Sequence, residues 1–312
     1  MKDKIIVVDF TYLQHQSIFS RNNALMRKDE MALTNPEQAQ KMFIPPSTYT
    51  CMVSLISCLK KVGINDECGD KVILAVDGRH SWRKNLDSSY KGKRQEQRQQ
   101  AQYINWDIEY GLHNDLVEKI DNSLPFFIVK GEGLEADDWI AEICKFFKDN
   151  QVIIISPDKD FNQLLTLDNV RIYSPHTHKS VRACPYRILD LNREKEKQKA
   201  YKSLMSKIRK ETSDDLISEV LTEDDYDIRK QIVSLLELPD FVIAQMKPIL
   251  EEIAPLEKEY FYPEAFGNGI YKKLVGLFDQ DKIITYDNCR LKFERKLKKN
   301  KNKKRVKKLL PV

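Results

Sequence analysis

Val152-Ile153-Ile154-Ile155 runs without a break into Ser156-Pro157-Asp158-Lys159-Asp160-Phe161. Four β-branched residues in a row, closed by a proline and two acids, read as a short strand that is apolar on both faces. Such strands sit inside parallel sheets, where helices cover both sides. The pattern recurs on either side of this stretch. Ile5-Ile6-Val7-Val8 ends at Asp9, and Val72-Ile73-Leu74-Ala75-Val76 ends at Asp77-Gly78. Phe126-Phe127-Ile128-Val129 is followed by Leu134-Glu135-Ala136-Asp137-Asp138, and Val170-Arg171-Ile172-Tyr173 is a fifth, weaker run. Helical patterns lie between them. Ser47 is placed to cap a helix carrying Met52, Val53, Ile56 and Leu59. Residues 107–122 space Ile108, Leu112, Leu116 and Ile120 four apart, and Trp139, Ile140, Ile143, Phe146 and Phe147 form another stripe. Strands alternating with helices predict an α/β fold with a mostly parallel central sheet flanked by helices. Residues 17–40 read as irregular, and no internal repeat is present.

The 312 residues suffice for one large α/β domain with a helical extension. After Pro185 the strand patterns fade. Residues 195–250 read as helices with Leu204, Ile208, Leu216, Ile217, Val220, Leu221, Ile232, Leu235 and Leu236 as apolar contacts. The expected division is an α/β core over 1–187, a helical region over 188–289 and a basic tail over 290–312. The core includes a polar, Arg-, Lys- and Gln-rich segment at 79–106 that stands off the body.

The net charge of +5 is unevenly placed. Residues 290–308 hold twelve Lys or Arg against Glu294, a net +11, which leaves −6 for the rest. An acidic body with a dense basic tail points to a polyanionic partner. No apolar run approaches the ~18 residues of a spanning helix, and the N-terminus lacks an export pattern, so no membrane contact is expected. The six cysteines form no CxxC pair and are expected as free thiols in a reducing cytoplasm. A nucleotide loop of Walker type is absent, which argues against NTP hydrolysis.

In an open parallel sheet, ligands bind beyond the carboxyl ends of the strands. Here those ends are acidic: Asp9, Asp77, and Asp158 with Asp160, while Glu135, Asp137 and Asp138 open the helix after the third strand. Glu135 and Asp138 are three apart and share a helical face, whereas Asp137 points elsewhere on an ideal helix. Like charges about 4 Å apart cost on the order of 1–4 kcal/mol even when screened. Cations relieve that cost, and hard oxygen donors without His or Cys suit Mg²⁺ or Mn²⁺ rather than zinc. Two such ions suit phosphodiester hydrolysis, one activating a water and both steadying charge on the scissile phosphate.

Val-Asp-Phe at 8–10, Val-Asp-Gly at 76–78, Leu-Glu-Ala-Asp-Asp at 134–138 and Ser-Pro-Asp-Lys-Asp-Phe at 156–161 together resemble the 5′-nuclease, or flap endonuclease, superfamily. The likeness is clear over about 4–178 and is nearest to phage members with ribonuclease H activity. It implies a Mg²⁺-dependent 5′→3′ exonuclease and flap endonuclease that removes RNA primers or 5′ flaps during DNA replication. Two Mg²⁺ ions, with Mn²⁺ substituting, would be held by Asp9, Asp77, Glu135, Asp137, Asp138, Asp158 and Asp160. Glu211 and Asp214 in Lys210-Glu211-Thr212-Ser213-Asp214-Asp215-Leu216 match two further acids, though the family usually has Asp where Glu211 stands. The 188–289 region would then grip duplex DNA. Arg79, Arg83, Tyr90, Lys91, Lys93 and Arg94 resemble the basic base of a helical arch that admits single-stranded 5′ ends. Lys91 and Arg94 would act on the scissile phosphate, and Tyr90 would stack on a base. The implied partners are DNA or an RNA–DNA hybrid with a 5′ end or flap. The family also works beside single-stranded-DNA-binding protein and a sliding clamp. The expected form is a cytoplasmic monomer.

Two other readings stand beside this one. A DNA-binding or scaffolding relative that lost catalysis would bind DNA indifferently to metal. A PIN-type RNA nuclease shares the acidic sheet edge but is smaller and has no use for the arch. Trp106 and Trp139 read as packing anchors rather than base platforms; Trp82, close to the basic segment, is the exception. His176 and His178 read as loop residues.

Overall fold

The computed structural model describes residues 4–64, 70–92, 98, 103–175, 186–189, 198, 201–202, 204–206, 222–256, 263–275 and 277. Five parallel strands make the sheet: β1 (Lys4–Asp9), β2 (Lys71–Ala75), β3 (Phe126–Val129), β4 (Gln151–Ile155) and β5 (Val170–Pro175). A sixth, β6 (Tyr186–Leu189), lies antiparallel on the β5 edge. The order is β3-β2-β1-β4-β5-β6. β1 is therefore central, with β2 on one side and β4 on the other. The chain winds outward from β1 to β3, then returns to start again at β4. That reversal opens a crevice beyond the carboxyl ends of β1 and β4, the place where open α/β sheets bind ligands.

Alternate residues of each strand feed opposite cores, which is why the runs are apolar without interruption. On one face Ile5, Val7, Ile73 and Ala75 pack with Trp139, Ile140 and Ile143 of α6 (Ala136–Phe146). On the other, Ile6, Val8, Val72 and Leu74 meet Phe10 and Leu13 of α1 (Phe10–Thr34) and Met52, Leu55 and Ile56 of α3 (Ser47–Val62). The same layer holds α5 (Trp106–Ser123), while α2 (Pro36–Lys41) packs on α1 and α4 (Arg83–Leu86) follows β2. Of the C-terminal helices, α7 (Glu223–Val233) meets α4, α8 (Asp240–Ile253) adds Val242, Met246 and Leu250 to the first core, and α9 (Asn268–Val275) adds Ile270 and Leu274 to the second. The described helices after residue 222 thus share the cores of the sheet. Among the described residues, no helix is long and apolar enough to cross a membrane. Cys51, Cys58 and Cys144 are buried free thiols; Cys68, Cys184 and Cys289 lie outside the described residues.

Three sequence expectations are corrected. Residues 17–34, read as irregular, continue α1. Its buried side stops at Asn22, so the last three turns carry no apolar stripe to read. Ser47 does not cap α3: Pro46 stands at the cap, and the Ser47 hydroxyl instead donates to Glu109 Oε2 at 2.5 Å and lies 3.1 Å from His113 Nε2. In α5, Leu116 and Ile120 are buried as expected, but Ile108 and Leu112 are exposed.

Candidate active site

The acidic strand ends meet at the crevice. Asp9, last in β1, caps α1: its Oδ1 accepts the Tyr12 N–H at 2.9 Å, and its Oδ2 accepts the Ser156 hydroxyl at 2.9 Å across the β1–β4 gap. The next residue but one in α1, Thr11, accepts the Asp77 N–H on its hydroxyl at 2.8 Å. Asp77 Oδ1 in turn accepts the Ala136 N–H at the start of α6, at 2.7 Å. On the β4 side, Asp158 Oδ1 accepts the Asp160 N–H at 2.9 Å and sets the turn that opens a 3₁₀ helix at Asp160–Thr166. Asp158 is exposed, and Asp77, Asp137 and Asp160 are half-buried.

These carboxylates feel one another. Burial, and then the charges of Asp77 and Asp158, push the Asp9 carboxyl up to about 7 against its hydrogen bonds from Tyr12 and Ser156. Burial also drives Asp137 well above the ordinary range; Lys91 opposes this, while Asp9, Asp158 and Glu135 add to it. Asp137 thus shares its charge burden with Asp9 and Asp158. The donors are all carboxylate oxygens, and Asp9 and Asp137 carry strained charge. That chemistry fits a hard divalent cation. Among the described residues, no three of these acids close on one point tightly enough to ligate an ion as the side chains stand.

A pH prediction follows for protein in chelator. Asp9 binds its proton more tightly folded than unfolded (about 7 against 3.8), so the folded state holds more protons between those values. Stability is then favoured in acid and falls as pH rises toward about 7, by an amount on the order of 4 kcal/mol from this group. Thermal melts in EDTA from pH 5 to 8 are expected to show the decline, and added Mg²⁺ is expected to reverse it at pH 8. Equal melting temperatures at both ends would remove the charge strain assigned to Asp9.

Behind the crevice stands a second layer. Glu135 and Asp138 form a reciprocal capping box at the head of α6. Arg83 is 2% exposed, and its guanidinium pairs with Glu135 Oε2 at 2.9 Å and Asp138 Oδ1 at 2.8 Å. The Tyr90 hydroxyl donates to Glu135 Oε2 at 3.0 Å, Lys91 Nζ to Glu135 Oε1 at 2.6 Å, and Trp82 Nε1 to Asp138 Oδ2 at 3.1 Å. Burial would raise the Glu135 carboxyl, but Lys91 and Arg83 outweigh it and hold it below its usual range. Burial would lower the Lys91 ammonium, but Tyr90, Glu135, Asp137 and Asp77 hold it above its usual range. Lys91 also has a left-handed backbone, φ +57°, which costs a non-glycine residue roughly 1 kcal/mol or more and persists only where surroundings impose it. Its ammonium thus stands between the second layer and the crevice acids.

Three expectations change here. Asp138, expected as a ligand, is fully buried with both oxygens engaged, and stands behind the crevice. Arg83 and Tyr90, expected on the nucleic-acid face, are interior because Glu135 and Asp138 need buried counter-ions and donors. Trp82 is likewise buried, edge-on to Phe241 and stacked on Arg83. Arg79 is exposed at the rim. Lys93, Arg94, His176, His178, Glu211, Asp214 and the tail lie outside the described residues.

The start of the basic segment is zipped to the loop before α6. Gly78 N–H donates to Leu134 O at 2.7 Å, Gly133 N–H to Arg79 O at 2.8 Å, and Trp82 N–H to Gly133 O at 2.9 Å. Its far end rests on α1: Tyr103 N–H bonds Asn22 Oδ1 at 3.2 Å, the Tyr103 hydroxyl bonds Asp29, and Trp106 packs against Phe19 and His15 with Arg98 over its ring. Sequence reasoning missed Thr11, Ser156 and Gln163. Only Ser156 had a visible cue, as the residue between a strand and two acids.

Residues 5–201 match the family described as 5′-3′ exonuclease, N-terminal resolvase-like domain. Ribonuclease H of Enterobacteria phage T4 is 29% identical over 116 residues, which are 36% of this chain and 38% of that protein, so the match spans well under half of that relative. The flap endonuclease of bacteriophage T5, solved in a complex with DNA and metal ions, superposes with a TM-score of 0.51 at 17% identity, covering 86% of this chain and 96% of that one. That last likeness is one of fold. With the family match running from the first strand past β6 and through every acid of the crevice, the chain belongs to the 5′-3′ exonuclease family of hydrolytic nucleases.

Proposed function

We propose that this chain is a divalent-cation-dependent 5′ nuclease that cleaves phosphodiesters at 5′ ends and flaps, including the RNA strand of RNA–DNA hybrids, and so clears primers or flaps during DNA replication. The observation that carries this is the placing of Asp9, Asp77 and Asp158 beyond the carboxyl ends of β1, β2 and β4, at the sheet's reversal point, with their carboxylates anchored on Tyr12, Ser156, Ala136 and Asp160. Asp9, Asp77, Asp137, Asp158 and Asp160 would hold the ions, Mg²⁺ by expectation with Mn²⁺ substituting. When bound, such ions supply Lewis-acid stabilisation of the phosphate and an activated water. Glu135, expected as a ligand, has its oxygens on Arg83, Tyr90 and Lys91 and so orients Lys91 instead, and Lys91 offers fixed positive charge to the scissile phosphate. Arg79, exposed at the rim, is free to approach the backbone of the strand. The expected products are a 5′-phosphate and a 3′-hydroxyl.

The test is a 5′-labelled RNA–DNA hybrid and a 5′-flap DNA, each with Mg²⁺, Mn²⁺ or EDTA. Cleavage in either metal and none in EDTA supports the reading. DNA binding indifferent to metal, with no cleavage, would leave only a DNA-binding role. The tail at 290–308 is proposed to add phosphate contacts without sequence preference. Deleting it is expected to weaken DNA binding at least tenfold at low salt and to flatten the slope of log affinity against log salt. An unchanged slope would assign the tail another task.

A further inference from the structure

We propose that Arg83 is a positioning residue, a buried brace that ties the end of α7 to Glu135, and through Glu135 to the Lys91 ammonium. The inference deepens the nuclease reading and rests on it for its catalytic consequence. Three groups, two at the head of α6 and one near the end of α7, converge on one guanidinium. Its terminal nitrogens pair with Glu135 and Asp138, and its Nε–H donates to the Ile232 carbonyl at 2.8 Å. Trp82 covers it, with the ring centroid 4.5 Å away. Ile232 and Val233, which end α7, pack against Tyr90, the other donor to Glu135 Oε2.

The segment after Ile232 is held from a second side. Gln163, in the 3₁₀ helix that Asp160 opens, donates to the Val233 carbonyl at 3.0 Å and accepts the Leu235 N–H at 3.0 Å. Residues 232–235 are thus fastened to both acid-bearing elements, by Arg83 to the head of α6 and by Gln163 to the Asp158–Asp160 turn. A side chain 2% exposed, hydrogen-bonded to Glu135 and the Ile232 carbonyl and ion-paired with Asp138, is not the one that meets phosphate. Nor does lysine replace it, because a point ammonium lacks the planar fork that reaches three acceptors at once. The position of α7 and the position of Lys91 are set by one group.

The experiment uses the full chain with Arg83→Lys, Arg83→Gln and Asp138→Asn, the last weakening the brace without touching its arginine. Hydrogen–deuterium exchange is followed in EDTA, and single-turnover cleavage of a 5′-flap DNA is followed in Mg²⁺ with enzyme in excess. The affinity for that DNA and its salt slope are measured in Ca²⁺. The brace predicts faster exchange at 232–236 and near 91 in all three variants. It also predicts a single-turnover rate about 100-fold lower in Arg83→Lys, the cost of misplacing catalytic groups by about 1 Å. DNA affinity should stay within about twofold of wild type, with an unchanged salt slope. Weaker binding, a salt slope lower by about one and a preserved saturating rate would make Arg83 a phosphate contact and overturn the proposal. Wild-type exchange at 232–236 in Arg83→Lys and Asp138→Asn would overturn it as well. Should wild type cut no 5′ substrate, the nuclease reading fails while the exchange data still decide the brace. Should Arg83→Gln fail to fold, the other two variants decide.

Discussion

Asp158→Asn is expected to slow cleavage of a 5′-labelled RNA–DNA hybrid in Mg²⁺ at least ~1,000-fold, about 4 kcal/mol of barrier, without lowering the melting temperature of the protein in EDTA. The two halves of this expectation come from different atoms. The side-chain oxygen that accepts the Asp160 N–H at 2.9 Å survives as the amide oxygen of asparagine, so the turn keeps its geometry. The backbone N–H still reaches the Ser156 hydroxyl at 3.2 Å. The negative charge is what disappears. It acts on Asp9 and Asp137, both already pushed upward, so its loss relaxes the folded state in the absence of cation. The same loss removes a hard anionic donor from the crevice. A variant that cuts as fast as wild type would refute the assignment of the acids to catalysis. A variant that melts well below wild type would show instead that Asp158 holds the turn, and its inactivity would then carry no chemical meaning.

Gly78→Ala is expected to be the most damaging single methyl group in the molecule. A Cβ at position 78 would lie 1.7 Å from the Gly131 carbonyl oxygen and 2.9 Å from that of Leu134. Both neighbours are backbone, so no rotamer change makes room. The loops at 78–82 and 131–134 must separate, which breaks the three backbone hydrogen bonds that zip them. Overpacking of 1–3 kcal/mol and about 1 kcal/mol for each lost bond sum to roughly 4 kcal/mol or more. In a chain of this size that corresponds to a fall in melting temperature of about 6 °C or more. The displaced loops carry Asp77 and the head of α6, so activity is expected to fall further than stability alone explains. Gly111→Ala is the matched control. It lies exposed within α5 with nothing near its Cβ position, and should stabilise by up to about 1 kcal/mol. Equal melting curves for Gly78→Ala and wild type would mean that the two loops do not touch as described.

The first four parallel strands were legible because each is a short run apolar on both faces and followed by acids, while β5, interrupted by Arg171, was the weaker signal. β6 was not, because a four-residue edge strand has neither length nor a double apolar face to declare itself. The far half of α1 was hidden for the opposite reason, since a helix that buries nothing beyond Asn22 shows no period. At the site, residue type revealed which acids gather at the strand ends. It did not reveal which of them face the crevice. Asp137 and Asp138 are neighbours with the same side chain, yet one is half-buried and the other is sealed inside by an arginine 55 positions earlier. Arg83 and Tyr90 read as surface groups because a basic, polar segment is normally solvated. Their burial depends on partners 45 to 149 residues away, which local sequence does not announce.

The central place of β1 has a consequence for how the protein is born. Its hydrogen bond across the gap, from Ser156 to Asp9, joins residues 147 apart, so the middle of the sheet emerges from the ribosome long before β4 exists to cover its second edge. Any pairing of β1 with β2 in that interval would leave an open, apolar border, the kind of surface that recruits stray strands. Slow translation or heat during that window is where this chain is most exposed to aggregation, and chaperone demand should peak before residue 155 has been made.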